Sequence, residues 1–527
     1  LVSRVRSALG PDVIDGNTTR GYRFNLGSAW TTDVTLAERL VNEAQSRSSS
    51  APALAAASAH RGLDMLDRGV PVGLASDVDA EWADDFTRHV AGLRKKLQRS
   101  LWDADIALGR WSELVDQAEA ALIAEPHDEI AGRALMLAHW NRGDRGSALT
   151  THDRMRARLL AELGVEMLRP ATGKLLLTDT GDINPVAPYE LVEKIRASIN
   201  VLGPLLTRCG EVRLSMPGGD DFGARPIDMH VSGLEAMGAE FKFSHGYLEA
   251  RCERLRGADI TFDFPSVGAT ENLMTAAVFA TGRTTIDNCA REPEITDLCN
   301  FLVAMGANIS GIGTSTLVIE GVERDELHPI SHHTVPDRIQ AATYLAAAAV
   351  SNGELDVLGI RPDDMTMLLD RFADMGLQMS PVEMDGHSGL HVAAPDRLRS
   401  IDVATLPYPG IATDYKPLII TMLSVADGVG IVTENLYPGR FRYVEELQRL
   451  GADVSTTGHH AVIRGVPRLS GAEVKAHDIR AGAAMVVAGL AAEGETIISG
   501  VHHIDRGYDD LVGRLSAVGA SIERISG

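Results

Sequence analysis

The sequence predicts an α/β fold built from repeated units, preceded by an all-α segment with a short β-hairpin in front of it. Three observations support this prediction. A six-residue pattern that ends in apolar–glycine–apolar recurs along the later part of the chain. Alternating apolar and polar residues follow several copies of this pattern, and a helical period of 34 residues marks the front.

The bulk composition limits the class of protein. The chain has 527 residues, of which 45 % are hydrophobic, so it is long enough for several domains with buried cores. A net charge of −22 argues against nucleic-acid binding along the whole chain. The four cysteines form no CxxC pair, which predicts reduced thiols and a cytoplasmic protein. No apolar run is long enough to span a membrane. Because the chain begins with leucine inside a helical pattern, we expect its native N-terminus to lie upstream.

The front of the chain predicts a hairpin followed by helices. Residues 1–24 fit the end of a basic helix and a two-stranded wing through Val13–Ile14 and Tyr22–Phe24. Further on, "ALGRWSEL" and "NRGDRGSAL" align at an offset of 34 residues, which places Ala104 on Ala138. A helix–turn–helix period of this length is typical of tetratricopeptide repeats. A helical bundle with coincidental spacing is the alternative.

The recurring pattern divides the rest of the chain into units. Consecutive glycines of its copies lie between 68 and 75 residues apart. They are Gly164, Gly238, Gly306, Gly376, Gly451 and Gly519. A glycine directly after an apolar helical run predicts a helix C-cap. An alternating run such as "NISGIGTSTLVIEGV" predicts a hairpin. Each copy therefore predicts an α/β unit whose helices pack against a sheet.

The stretch "PGGDDFGARP", residues 217–226, predicts a mobile or tightly turned loop because glycines are so dense in it. Asp220 is a candidate proton donor in this loop, and Arg225 is a candidate anion clamp. The alternative is a glycine–aspartate turn with a solvated arginine.

The front of the chain resembles the antibiotic-regulatory family of actinobacterial activators, through "VRSALGP…GYRF", "LGRWSELV" and "LLAELGV". Members of that family join a winged-helix DNA reader to a helical, tetratricopeptide-like bacterial transcriptional activation domain. The resemblance implies a winged-helix remnant over residues 1–28 and the activation domain over residues 29–168. It implies DNA as a partner only for an intact winged helix, because the recognition helix must enter the major groove.

From about Leu160 to Gly527, the chain resembles the UDP-N-acetylglucosamine enolpyruvyl transferase (1-carboxyvinyltransferase) family. The motifs occur in the family's order: "IRASINVLGPL", "PGGDDFGARPIDMHVSGLE", "PSVGATEN", "NCAREPEI", "VPDRIQAATYLAAAA", "ATDYKP", "GRFRYVEELQRLGA", "DIRAGAA" and "HHIDRGY". The family fold has two domains, each with repeated α/β units around a pseudo-threefold axis, and an active site between them. The resemblance implies domain 1 over residues 169–334 and domain 2 over residues 335–527. Shikimate-type enolpyruvyl transferases share this fold, but the loop and the "PSVGAT" turn favour the nucleotide-sugar branch.

The resemblance implies transfer of enolpyruvyl from phosphoenolpyruvate to the 3-hydroxyl of UDP-N-acetylglucosamine, the first committed step of peptidoglycan precursor synthesis. Such a reaction needs a base, an acid, cations for two anionic groups and a closing lid. The resemblance implies no cofactor. The adjacent histidine pairs have no supporting carboxylate or cysteine spacing, so we expect no metal site.

The catalytic residues implied by the resemblance are Asp220, Asp414 and Arg506. Asp220 stands where most members carry a cysteine that donates a proton and is alkylated by fosfomycin. A carboxylic acid there implies insensitivity to fosfomycin, because a carboxylate is a poor target for the epoxide. Asp414, in "ATDYKP", matches the base at the sugar hydroxyl. Taken without the family, it is a loop or N-cap acid.

The resemblance also implies binding residues. Those for phosphoenolpyruvate are Arg225, Arg480 and Arg506, since a guanidinium binds anionic groups through two hydrogen bonds. Those for UDP-N-acetylglucosamine are Arg196, Arg225, Ser266, Val267, Gly268, Asp414 and Val432. Arg440, in "GRFRY", matches a further arginine of the cleft.

The sequence departs from the family in two ways. The front of the family's first repeat is absent, so the resemblance implies a truncated domain 1. The second departure concerns a lysine. Members carry an essential lysine followed by asparagine near their start, and no Lys–Asn pair occurs in this chain. Three functions therefore stay open. They are the transfer to UDP-N-acetylglucosamine, the same chemistry on another nucleotide in secondary metabolism, and a non-catalytic regulator that senses a nucleotide sugar.

Overall fold

The structure is a computed structural model, and the chain separates into two compact units, Leu1–Arg158 and Leu159–Gly527. It describes residues 14–17, 21–24, 33–69, 81–124, 128–142, 163–187, 192, 196–215 and 227–525, without Ser49, Thr172, Thr180, Asp182, His245 and Pro438. The domain boundaries predicted from the sequence stay predictions. No helix among the described residues is both long and apolar enough to cross a membrane.

The front unit consists of a hairpin and a set of helices. Strands β1 (Ile14–Asn17) and β2 (Gly21–Phe24) pair antiparallel, which confirms the predicted two-stranded wing. The helices are α1 (Asp33–Arg47), α2 (Pro52–Gly69), α3 (Glu81–Leu108), α4 (Trp111–Ala124) and α5 (Glu129–Asn141). Apolar residues at helical spacing form their buried faces, as with Ala37, Leu40, Val41 and Ala44 of α1.

The larger unit repeats one motif of strands and helices. Its chain order is strand A, helix, strand B, helix, strand C, strand D. Strands A and B pair parallel, while B–D and C–D pair antiparallel, which gives the sheet order A–B–D–C. Three complete copies occur among the described strands: β5–β8, β9–β12 and β16–β19. The copy with β13–β15 has strands B, C and D.

The first group of elements in this unit lies before residue 330. The strands are β3 (Val165–Ala171), β4 (Lys174–Asp179), β5 (Val186–Ala187), β6 (Glu211–Ser215), β7 (Glu240–Ser244), β8 (Tyr247–Arg251), β9 (Asp259–Thr261), β10 (Arg283–Asp287), β11 (Asn308–Ser310) and β12 (Thr316–Glu320). The helices are α6 (Leu202–Cys209), α7 (Asp228–Ala236), α8 (Val267–Ala277) and α9 (Pro293–Met305), with 3-10 turns at Arg196–Val201 and Arg324–Glu326. Strands β11 and β12 confirm the hairpin predicted from the alternating run.

The second group lies after residue 337. The strands are β13 (Glu354–Leu358), β14 (Gln378–Met384), β15 (His387–Ala393), β16 (Val403–Ala404), β17 (Val429–Thr433), β18 (Asp453–Thr457), β19 (His460–Arg464), β20 (Leu469–Ser470), β21 (Glu473–Lys475), β22 (Ala492–Glu493) and β23 (Ile497–Ser499). The helices are α10 (Arg338–Val350), α11 (Thr366–Asp374), α12 (Lys416–Ser424), α13 (Val444–Arg449), α14 (Ile479–Leu490), α15 (His502–Asp505) and α16 (Leu511–Ala517), with a 3-10 turn at Pro362–Met365.

Each of these two groups has its own hydrophobic core. In the second group, α10, α12 and α14 pack against one another and are buried along almost their whole length. A helix that is apolar all round is stable only when it is enclosed in this way. The three helices therefore form the centre of the domain, and its sheets surround them.

Five glycines of the recurring pattern follow helices, as the sequence predicts, and the residues before the sixth, Gly164, lie outside the described part of the chain. All six have a positive φ, from +85° at Gly164 to +122° at Gly306. Residues with a side chain rarely adopt this conformation. At Gly238, Gly306, Gly376 and Gly451 the glycine therefore lets the chain turn out of the helix and enter strand C.

Candidate active site

The best-defined polar cluster of domain 2 surrounds Asp414, just before α12. The Arg440 Nη1 donates to the Asp414 carboxylate over 2.7 Å and to the Thr413 hydroxyl over 3.3 Å. The Arg440 side chain is buried, whereas that of Asp414 is 39 % exposed. The cluster thus combines a buried cation with a carboxylate that solvent or a ligand can reach.

The ionisation of Asp414 reflects its neighbours. Burial by itself would raise the pKa of this carboxyl. Arg440, followed by Arg480, outweighs that effect and holds the pKa below its ordinary value. Asp414 is therefore a carboxylate at neutral pH, the form that accepts a proton.

Arg480 adds a second cation to the cluster. It lies in the first turn of α14, where the Asp478 carboxylate caps the helix by accepting from the Arg480 and Ala481 backbone N–H groups, both over 2.8 Å. Its guanidinium carbon lies 5.6 Å from the ring centre of Tyr508. The Arg480 Nη1 is buried and has no hydrogen-bond partner among the described residues. A buried donor without an acceptor is costly, so this atom fits a site that an anion fills.

A fully buried ion pair lies beside this cluster and stabilises it. The Lys416 Nζ lies 2.8 Å from the Glu434 carboxylate, and both side chains are 0 % exposed. Lys416 also donates to the Arg440 backbone carbonyl over 2.5 Å. Burial lowers the pKa of Lys416 to about 8, although Glu434 opposes that shift. The ion pair thereby connects the start of α12 to the loop that carries Arg440.

Glu434 organises the same loop through hydrogen bonds from uncharged donors. Its carboxylate accepts from the hydroxyls of Thr405 and Thr413, both over 2.7 Å, and from the backbone N–H of Leu436 over 2.8 Å. The Thr413 hydroxyl contacts both Glu434 and Arg440. One continuous network therefore holds Asp414, Arg440 and the loop between them.

A further buried arginine connects this cluster to domain 1. Arg338 opens α10, is 8 % exposed, and pairs with Glu294 of α9 over 3.1 Å. Its Nη1 also donates to the Tyr415 hydroxyl over 3.2 Å. Nearby, Arg291 donates to the Tyr408 carbonyl over 3.1 Å. These contacts join the two domains beside Asp414.

The "PSVGAT" turn lies at the start of α8 in domain 1. The Ser266 hydroxyl caps this helix by accepting from the Ala269 N–H over 3.3 Å, and Val267 is 37 % exposed. A Cβ on Gly268 would lie 3.7 Å from the Asn200 Oδ1. That oxygen is buried and has no hydrogen-bond partner among the described residues. The turn thus exposes backbone beside an unsatisfied acceptor.

The structure brings together only some of the predicted site residues. Asp414 and Arg440 are in contact, and Arg480 is close enough to influence Asp414. Arg506 is exposed at the end of α15, two residues before Tyr508. Asp220 and Arg225 lie outside the described residues, as does the side chain of Arg196.

Val432 occupies a different environment from the one predicted. It is 0 % exposed in β17, between Val403 of β16 and Ala461 of β19. Its side chain belongs to the core of domain 2, so we leave it out of the proposed binding surface.

Sequence analysis missed several members of the network, namely Arg338, Tyr415, Lys416, Glu434 and Tyr508. Lys416 carried a usable signal, because a lysine inside the apolar run "YKPLIITML" must find a partner once the helix is buried. The sequence does not show that the partner is Glu434.

Comparison with known proteins identifies the family to which this fold belongs. A family model described as EPSP synthase (3-phosphoshikimate 1-carboxyvinyltransferase) matches residues 116–515, and the chain belongs to this family of enolpyruvyl transferases. The bacterial transcriptional activator domain model matches residues 32–175.

Two relatives carry the name UDP-N-acetylglucosamine 1-carboxyvinyltransferase. The protein from Nocardia farcinica (strain IFM 10152) is 51 % identical over 341 residues, which are 65 % of this chain and 79 % of the relative. The protein from Corynebacterium jeikeium (strain K411) is 49 % identical over 349 residues, which are 66 % of this chain and 82 % of the relative.

Solved structures agree with the fold. The enolpyruvyl transferase NikO from Streptomyces tendae superimposes with a TM-score of 0.62 at 23 % identity, covering 70 % of this chain and 86 % of NikO. An EPSP synthase from Acinetobacter baumannii reaches a TM-score of 0.53 at 18 % identity, covering 72 % of this chain and 88 % of that enzyme. At these identities the likeness concerns the fold alone.

Proposed function

We propose that the larger unit transfers enolpyruvyl from phosphoenolpyruvate to the 3-hydroxyl of UDP-N-acetylglucosamine and releases phosphate. The observation that carries this proposal is the Asp414 carboxylate beside Arg440 and Arg480, with one buried Arg480 nitrogen lacking an acceptor. Identity near 50 % to transferases of that name supports the choice of acceptor. We place the reaction in the cytoplasm.

In the proposed mechanism, Asp414 accepts the proton of the sugar hydroxyl as its oxygen attacks the enol carbon of phosphoenolpyruvate. Arg480 and Arg506 bind the anionic groups of phosphoenolpyruvate, with Arg225 joining after loop closure. Asp220 donates a proton to the enol methylene carbon, which becomes a methyl group in a tetrahedral intermediate. Loss of phosphate together with one proton of that methyl group then regenerates the enolpyruvyl double bond and completes the transfer. Ser266, Gly268 and Arg196 bind the nucleotide.

The test of this proposal is phosphate release from phosphoenolpyruvate with UDP-N-acetylglucosamine. Asp414→Asn keeps the size of the side chain but removes the base. Loss of a general base typically lowers the rate by about 10²–10⁴-fold, and we expect a fall in kcat of that order. Asp396→Asn, an exposed acid in the same domain, is the matched control and should retain the wild-type rate.

Phosphate release that survives Asp414→Asn would contradict the assignment of the base. Added fosfomycin tests Asp220 separately, because we expect no inactivation. Sensitivity to fosfomycin would point to a nucleophile other than a carboxylate.

A second candidate is binding without turnover, or turnover of another nucleotide. The absence of a Lys–Asn pair favours binding without turnover, because the family lysine helps to hold phosphoenolpyruvate. Saturable UDP-N-acetylglucosamine binding in calorimetry without phosphate release would select the sensor. Release only with another nucleotide would select the other acceptor.

For the front unit, we propose a regulatory role of the helical activator domain. DNA contact is proposed only where a complete winged helix precedes the β1–β2 hairpin, since that hairpin alone supplies no recognition helix.

A further inference from the structure

The β3–β4 hairpin has an edge that the other hairpins of the unit lack. In the copies with β8, β12, β15 and β19, strand D pairs antiparallel with strand C on one side. On its other side it pairs antiparallel with strand B, over five residues each time. Strand β4 corresponds to strand D, yet among the described strands it pairs with β3 alone. Its outer edge therefore has backbone groups with no strand partner in the described part of the chain.

The side chains of β4 are also uncovered. All six of its residues are exposed, including Leu175 at 52 %, Leu176 at 50 % and Leu177 at 52 %. On β3, Leu168 lies opposite Leu176 and is 50 % exposed. Leucine is thus exposed on both faces of the hairpin, because successive residues of a strand alternate between faces.

The internal repeats show that such leucine positions are normally covered. The residue two places after each pattern glycine pairs with a strand D residue, for example Glu166 with Thr178 and Glu240 with Arg251. In β4, Leu177 and Leu175 lie one and three places before this paired strand D residue. The residues at the same two places can be compared in each of the other four hairpins. Those pairs are Leu248 and Ala250, Leu317 and Ile319, Leu390 and Val392, and Ala461 and Ile463, with exposures of 0–6 %.

The complete sheets also show how strand D matches its neighbour. At the position of Leu176, Glu249 faces Arg213, His391 faces Asp356, and Val462 faces Ile431. At the positions of Leu175 and Leu177, apolar residues mostly face apolar ones, as Leu248 faces Leu214. The edge of β4 therefore fits a strand that offers three consecutive apolar residues.

We propose that this strand is the β4 of a second copy of the chain. Antiparallel pairing about a two-fold axis places Leu176 opposite Leu176 of the second copy and Leu175 opposite Leu177. Lys174 then faces Thr178, so no like charges meet. The result is a four-stranded sheet in the order β3–β4–β4–β3, which leaves the outer edge of neither β4 unpaired.

Because residue 176 of one copy lies opposite residue 176 of the other in this register, a single cysteine at that position tests the proposal. Residues directly opposite on antiparallel strands have Cβ atoms about 4.5–5.5 Å apart, within reach of a disulfide after small adjustments. We replace Cys209 and Cys252, the two partly exposed cysteines, by serine and introduce Leu176→Cys. Under mild oxidation of the full chain, we expect a disulfide-linked dimer of twice 56.4 kDa.

Leu168→Cys in the same background is the matched control. It replaces an equally exposed leucine on the same face, but the two copies of residue 168 are separated by three strand spacings, about 14 Å. We expect no crosslinked dimer from this variant. A crosslink as strong as that of Leu176→Cys would overturn the proposed register.

Light scattering on the otherwise wild-type chain measures the association itself. We expect a concentration-dependent dimer that Leu176→Lys converts to a monomer, since a charge at the centre of an edge strand prevents pairing. Far-UV circular dichroism confirms that the variant is folded. The proposal would be overturned by a wild-type chain that is monomeric at every concentration, or by a dimer that persists in Leu176→Lys. It would also be overturned if the monomer bound a different polypeptide through β4. These measurements need no turnover, so they stand or fall apart from the proposed function.

Discussion

Asp414 illustrates how single residues set the chemistry of the proposed site. Its carboxyl group is subject to opposing influences, with burial raising its pKa and the guanidinium groups of Arg440 and Arg480 lowering it by more. The arginines decide the outcome because their positive charges stabilise the ionised form directly. The Asp414 carboxyl group is consequently ionised at neutral pH, as its proposed role as base requires.

This balance predicts a pH effect in Arg440→Gln. Removing Arg440 weakens the influence that lowers the Asp414 pKa and leaves burial less opposed, so the pKa rises. Because the deprotonated form is the active one, we expect the acidic limb of the kcat/KM profile to move to higher pH. Phosphate release measured across the acid range gives the midpoint.

Arg442→Gln is the control for that experiment. Arg442 is an exposed arginine two residues further along the chain. We expect it to leave the acidic limb where the wild type has it. An Arg440→Gln profile with the wild-type midpoint would show that another group governs the limb.

The sequence predicted individual site residues unevenly. Asp414, Arg440 and Arg480 lie in motifs that identify them without a structure. The Lys416–Glu434 pair was missed because its members are 18 positions apart and meet only where α12 packs beside β17. A motif does not show which face of a strand points into the core, so the burial of Val432 was not predicted, and its contact with a ligand stays a prediction.

Elements were predicted best where their signals are local. A glycine after an apolar helical run predicted five helix ends that the structure confirms, and all six glycines have a positive φ. The 308–322 hairpin and the front hairpin are equally local. The parallel pairing of strands A and B was not predicted, because it joins segments separated by a whole helix.

The local signal leads to a prediction for Gly306→Ala, at the end of α9. Gly306 has a φ of +122°, and a Cβ there would lie 2.4 Å from the Glu326 backbone carbonyl oxygen. The substitution therefore adds a steric overlap with backbone to the strain of a positive φ. We expect a loss of about 2–4 kcal/mol of unfolding free energy, measured by thermal denaturation.

Gly238→Ala separates the two contributions. Gly238 occupies the same place in the repeat with a φ of +98°, but a Cβ there would meet nothing within 4 Å. Only the backbone strain applies, and we expect a loss of about 1–2 kcal/mol. Equal losses in the two variants would show that the overlap near Gly306 is relieved by a backbone shift.

At the scale of the whole molecule, the two compact units contain distinct cores and distinct spectroscopic signals. The five tryptophans are Trp30, Trp82, Trp102, Trp111 and Trp140, all within Leu1–Arg158. Tryptophan fluorescence therefore reports on the front unit alone, whereas far-UV circular dichroism reports on helices and strands of both. Units with separate cores are able to unfold separately.

This separation predicts the effect of Lys416→Met. The substitution leaves Glu434 as a buried, uncompensated carboxylate, and breaking a buried pair in this way costs about 3–5 kcal/mol. We expect the circular-dichroism transition of the larger unit to move to lower temperature, by about 2–4 °C per kcal/mol for a domain of this size. The tryptophan transition should stay in place, because no tryptophan lies in that unit.

Lys475→Met provides the matched control, since it makes the same replacement at an exposed lysine of β21 and should move neither transition. The double variant Lys416→Met/Glu434→Gln should recover part of the loss, because it removes the buried charge. The amide oxygen at position 434 still accepts from one of the two threonines, Thr405 and Thr413, and the NH2 group donates to the hydroxyl of the other. A tryptophan transition that moves together with the circular-dichroism transition in Lys416→Met would show that the two units unfold as one. The stability of the active-site network would then depend on the front unit as well.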